Sequence, residues 1–88
     1  MYHVTISPTA AKQLRKLPTN DGDRIRRGLR VLSVDPTTPR SGADIHLLHG
    51  EVRWKYRLRI GAFRIVYSVE GESVFVYEVF RRGRGRSE

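Results

Sequence analysis

Four cations alternate along residues 53–60: Arg53, Lys55, Arg57 and Arg59, with Trp54, Tyr56, Leu58 and Ile60 between them. Successive side chains on a strand point to opposite faces, so this segment predicts a strand with one cationic and one apolar face. Neighbours on the cationic face stand roughly 6.7 Å apart, and at an effective dielectric of about 20 each adjacent pair repels by ~2–2.5 kcal/mol. In open water the repulsion is about a quarter of that. Folding has no use for such a row, which reads as a surface for a polyanion, against the simpler reading of a solvated basic face. Arg64 falls on the next predicted strand, and Arg81, Arg82, Arg84 and Arg86 lie in the tail. These could extend the same surface, because the planar guanidinium matches phosphate oxygens. The arginine-glycine run at 81–86 equally suits a disordered polybasic tail that only binds RNA or anionic surfaces.

The charge distribution supports a polyanion partner. The chain has 88 residues and a formal net charge of +8. Residues 53–64 hold five basic and no acidic groups, while 65–80 hold three acidic and no basic ones. The excess thus gathers in one short stretch and in the tail. There is no cysteine, which removes disulfides, thiolate metal sites and a cysteine nucleophile, and suits a reducing, cytoplasmic setting. No apolar run approaches the roughly 20 residues that cross a bilayer, so no membrane role is expected. His46 and His49 are three apart, which puts them on opposite faces of a strand, and without a carboxylate cluster they read as surface or turn residues. No metal and no cofactor is expected. His3 falls on the polar face of an edge strand, and Trp54, Tyr56 and Tyr67 read as core residues more than as base-stacking platforms.

The elements that must position these residues follow from periodicity. Tyr2, Val4 and Ile6 alternate with polar residues as a short strand. Ser7-Pro8 reads as an N-cap with proline in the first turn, and Ala10, Ala11, Leu14 and Leu17 form the buried stripe of a helix that Pro18 ends. Thr19-Asn20-Asp21-Gly22 offers a turn and a new cap. The second helix buries Ile25, Leu29 and Leu32 and stops at Asp35-Pro36. After a loop at 36–43 the period changes to that of strands: Ile45 to Leu48, Arg53 to Ile60, Phe63 to Glu70 and Ser73 to Phe80, with tight turns at Gly61-Ala62 and Gly71-Glu72. The prediction is a single α+β domain over residues 1–88, β-α-α-β-β-β-β. A helical hairpin covers one face of an antiparallel meander of three to four strands, and a basic tail occupies 81–88.

A resemblance covers nearly the whole chain. The helix Ala10-Ala11-Lys12-Gln13-Leu14-Arg15-Lys16-Leu17, Asp35-Pro36, Leu48-His49-Gly50, and above all Tyr56-Arg57-Leu58-Arg59-Ile60-Gly61-Ala62-Phe63-Arg64-Ile65-Val66-Tyr67 resemble the RelE/ParE toxin superfamily. That scaffold carries ribosome-dependent RNases and gyrase inhibitors alike. The RNase members imply a toxin of a type II toxin–antitoxin system that cleaves messenger RNA on the ribosome by attack of a 2′-hydroxyl on the scissile phosphate. Its partners would be a cognate antitoxin and the ribosome with its messenger. By that resemblance Lys55 and Arg57 match two basic residues at the scissile phosphate, Lys55 as a candidate general base. Arg64 matches an arginine that stabilises the transition state, and Arg82, or Arg81, matches one that protonates the leaving oxygen. Arg53, Arg59, Arg81, Arg84 and Arg86 would hold RNA or ribosome. Arg57 stands where lysine is common, and the aromatic residue on which some members stack a base would fall at or after Glu88.

Magnitudes limit the lysine-base reading. A free lysine at pH 7 is deprotonated in only ~1 molecule in 2,500. Arg53 and Arg57 flank Lys55 and should favour its neutral form, but a shift of ~3 units requires about 4 kcal/mol and a partly desolvated site. Electrostatic stabilisation of the phosphorane by Lys55 and Arg64 at one phosphate is an adequate alternative. Two other functions fit the same cations: a ParE-like gyrase-inhibiting toxin without nuclease activity, and a non-catalytic nucleic-acid-binding domain.

Overall fold

The computed structural model describes residues 1–48 and 55–83. Its elements are β1 (His3–Ile6), α1 (Pro8–Arg15), α2 (Thr19–Val34), β2 (Asp44–Leu48), β3 (Lys55–Ile60), β4 (Phe63–Glu70) and β5 (Ser73–Arg81). They form one five-stranded sheet in the order β1-β5-β4-β3-β2. The α+β class and the element order agree with the sequence reading. The four C-terminal strands are an antiparallel meander, while β1 pairs parallel with β5, which only the excursion through both helices allows.

Local chemistry sets the helices. Ser7 caps α1, its Oγ accepting from the Ala10 amide at 3.0 Å with Pro8 in the first turn. α2 departs from expectation at its start: it begins at Thr19 directly after Pro18, with no side-chain cap, so the residues expected to make a turn form its first turn. At its other end Asp35 takes over the chain, its Oδ1 accepting from the amides of Thr37 and Thr38. Those hydrogen bonds hold the Asp35 carboxyl below its ordinary value.

Both helices bury their apolar stripes on one sheet face. Ala10, Ile25 and Leu32 pack with Leu58 of β3, Ile65 and Tyr67 of β4 and Val74, Val76 and Val79 of β5. Gly28 lets α2 approach β3 closely, since a Cβ there would lie 2.3 Å from Ile60 Cδ1. Tyr67 is wholly buried; its ring stacks on Tyr56 with centroids 5.5 Å apart, and its hydroxyl donates to the Pro36 carbonyl at 2.6 Å. Burial pushes that phenol above its ordinary pKa. Gln13 ties α1 to the sheet by accepting the Val79 amide at 2.6 Å. With this face filled by the helices, the opposite face must carry the cations.

Candidate functional site

The register lays out that second face as a grid. Arg59 of β3 stands between Asp44 of β2 and Arg64 of β4, and Arg64 is paired in turn with Phe80 of β5. One row along, Arg57 stands between His46 and Val66, and beyond it Lys55 stands between Leu48 and Ser68. The alternation expected for residues 55–60 is present, with Tyr56, Leu58 and Ile60 on the helix side. Arg53, Trp54 and His49 lie outside the described residues, as do Arg84 and Arg86.

Arg64 is the most unusual member. It is 8% exposed, and its Nη1 donates to the backbone carbonyls of Gly61 at 3.1 Å and Phe63 at 3.0 Å. Among the described residues it forms no ion pair. Burial disfavours its charged form, and the guanidiniums of Arg59, Arg82 and Arg57 add to that, so its pKa is lowered although arginine stays protonated at neutral pH. Beside it the Arg57 Nε–H is buried and has no acceptor among the described residues. A buried donor without an acceptor costs ~1–3 kcal/mol, more on a charged group. Two neighbouring guanidiniums, one buried and the other with an unaccepted Nε–H, are groups that could hold an anion with several oxygens.

Arg82 joins this group and Arg81 does not. Its amide donates to the Ala62 carbonyl at 2.6 Å, which anchors the chain after β5 against the β3–β4 turn and brings the Arg82 charge to Arg64. Arg81 is the register partner of Phe63 on the helix side, its guanidinium 5.4 Å from the Phe63 ring centroid. The choice is made by a β-bulge, where the β4–β5 register shifts between Val66 and Tyr67. An unshifted strand would give the residues after Tyr77 the opposite parity.

Lys55 stands apart from Arg64. Four residues of strand separate it from Arg59, the partner of Arg64, or about 13 Å at the rise of an antiparallel strand. Its Nζ lies 5.2 Å from the centroid of the Tyr77 ring, whose hydroxyl is 2.9 Å from Ser68 Oγ, while Arg64 turns to the opposite end of the strands. Lys55 and Arg64, expected to act at one phosphate, thus start from two ends of the same face. Arg57 occupies the position between them.

Two residues that the sequence reading did not place at the site are next to it. Asp44 and His46 of β2 lie across from Arg59 and Arg57, and Asp44 Oδ2 is 2.7 Å from Arg59 Nε. Burial works to raise the Asp44 carboxyl, but His46 and Arg59 outweigh it and hold it below its ordinary value. Among the described residues no group of three His, Asp or Glu side chains could hold a metal ion.

Comparison with known proteins gives this geometry a family. The model of the ParE toxin of the type II toxin–antitoxin system parDE matches residues 4–85. The chain belongs to the RelE/ParE toxin superfamily. It is thereby a toxin of a type II toxin–antitoxin system. An archaeal RelE from Pyrococcus horikoshii OT3, solved in complex with RelB, is 30% identical, covers 96% of this chain and 98% of its own, and superposes with a TM-score of 0.80. The toxin of the intact E. coli RelBE toxin–antitoxin complex is 26% identical, with 96% and 100% of the two chains covered and a TM-score of 0.71. The isolated E. coli RelE toxin shares the fold at 24% identity, covering all of this chain (100%) and 89% of its own at a TM-score of 0.75. No curated protein sequence matches the chain.

Proposed function

We propose that this RelE/ParE-superfamily toxin is a ribosome-dependent endoribonuclease that cleaves messenger RNA. The observation that supports the reading most is the juxtaposition of buried Arg64, without an ion-pair partner among the described residues, and Arg57, whose Nε–H has no acceptor among them, flanked by Arg59 and Arg82. A pentacoordinate phosphorane gathers negative charge as the 2′-hydroxyl attacks, and fixed cations in a poorly hydrated site stabilise it without reorganising. Arg57 and Arg64 would grip the scissile phosphate, Arg82 would attend the leaving 5′-oxygen, and Lys55 would hold the adjoining stretch of backbone. Arg53, Arg59, Arg84 and Arg86 would bind RNA or ribosome. Arg81, on the helix side, would contribute only to a flanking contact.

A cognate antitoxin completes the system in this reading, as RelB does for the archaeal and E. coli relatives. An acidic antitoxin segment that folds on binding would suit the cationic face, and both would act in the cytoplasm. Co-expression with the neighbouring open reading frame should yield a tight complex.

The test is cleavage of a messenger programmed on purified ribosomes, mapped by primer extension, with ribosome-free RNA as the control. Cuts that require the ribosome are expected. A second reading, a gyrase-inhibiting toxin, is favoured by the match to the ParE model. Inhibition of gyrase supercoiling with no messenger cleavage would replace the first reading by the second.

A further inference from the structure

Asp44 and His46 are two residues apart on an edge strand, so their side chains share the face that carries the cations. The Asp44 carboxylate bridges two partners: Oδ2 is 2.7 Å from Arg59 Nε and Oδ1 is 2.8 Å from His46 Nε2. An ionised carboxylate only accepts hydrogen bonds. Nε2 of a neutral His46 must therefore carry the proton, which leaves a lone pair on Nδ1. The imidazole side chain is half exposed, at 51%, and open to a ligand.

The cations of this face can hold a phosphate, but arginine does not give up a proton at neutral pH. Imidazole is the side chain whose ordinary titration lies nearest neutrality. His46 faces Arg57 directly, in adjacent strands about 5 Å apart, with Lys55 and Arg59 diagonal to it on β3 and Arg64 beyond on β4. Asp44, on its own strand, is its acidic neighbour.

We propose that His46, held by Asp44, is the general base that activates the 2′-hydroxyl beside a phosphate gripped by Arg57 and Arg64. This rests on the nuclease reading given above. Nδ1 takes the 2′-hydroxyl proton as the O2′–P bond forms and the P–O5′ bond breaks. The 5′-oxygen takes a proton from solvent beside Arg82, the imidazolium returns its proton to solvent, and the products are a 2′,3′-cyclic phosphate and a 5′-hydroxyl. Asp44 is a positioning residue that sets the tautomer and orientation of the ring.

Single-turnover cleavage of ribosome-bound messenger, followed between about pH 5.5 and 8.5, tests this on the full chain. The wild-type rate should rise with pH along one limb and level off. His46→Gln should lower the plateau by about 10²-fold and abolish the limb, with ribosome binding and melting temperature unchanged. Asp44→Asn should lower the rate less than His46→Gln does, because the ring keeps its base but loses the carboxylate that fixes its tautomer and orientation. Wild-type cleavage with His46→Gln equally fast and its limb intact overturns this proposal alone. A wild type that leaves ribosome-bound messenger uncut overturns the nuclease reading and this proposal with it.

Discussion

Arg59 and Arg64 face each other as register partners across β3 and β4, and among the described residues only the first forms an ion pair, with Asp44. The second is buried among like charges, so an anion that reaches it relieves repulsion as well as forming hydrogen bonds. Inorganic phosphate should bind the folded chain and raise its melting temperature. A concentration of about 100 times Kd stabilises by roughly 2.7 kcal/mol. Calorimetry with and without phosphate should show the rise cut by at least about half in Arg64→Ala. An equal rise in both proteins would place the anion elsewhere.

RNA affinity should fall steeply with salt. Each neutralised phosphate of a single strand contributes about −0.7 to the slope of log K against log salt, so some five contacts give roughly −3.5. Fluorescence anisotropy with a short RNA checks this, and Arg57→Ala should flatten the slope by about 0.7. A slope near zero would make the cationic row a solvated face.

Lys55→Arg separates charge from proton transfer. Arginine keeps the cation over the Tyr77 ring but cannot act as a base at neutral pH. Cleavage by Lys55→Arg should stay within about threefold of wild type, whereas Lys55→Ala should lose roughly tenfold or more. Loss of activity in the arginine variant would return the base to Lys55.

Acid should weaken the fold through Asp35 and Asp44. Both carboxyls have folded pKa values below the ordinary one, so their stabilisation is present above about pH 4 and is lost as pH falls through the lower folded values. At that point Thr37 and Thr38 lose a charged acceptor, and Arg59 loses its partner. Melting temperature followed from about pH 6 down to 2 should fall below pH 4, and less steeply in Asp35→Asn. Parallel curves for the two proteins would remove Asp35 from the account.

Much of the fold was legible in the sequence because apolar periodicity acts locally. The alternation from Tyr56 to Ile60 and the stripe Ile25, Leu29, Leu32 announce which face packs against which. Pairing across strands did not announce itself. Nothing within β2 alone says that Asp44 will meet Arg59, since that depends on how β2 pairs with β3. The exposure of His46 is legible from the sequence, but its place across from Arg57 is not, for the same reason. The choice between Arg81 and Arg82 was latent in β5, where buried Val74 and Val76 give way to Val79, a break in alternation that a bulge at Tyr77 explains. The parallel pairing of β1 with β5 and the burial of Arg64 are products of the whole sheet, and no window of sequence contains them.

Arg64→Ala in single-turnover cleavage on the ribosome tests the central claim most directly. If a buried, preorganised guanidinium stabilises the phosphorane, the variant should cleave about 10²–10³-fold more slowly, equivalent to ~3–4 kcal/mol. Ribosome affinity should change far less, because Lys55, Arg57, Arg59 and Arg82 remain. A folded Arg64→Ala protein that cuts messenger at the wild-type rate would contradict the assignment of this face to phosphate chemistry.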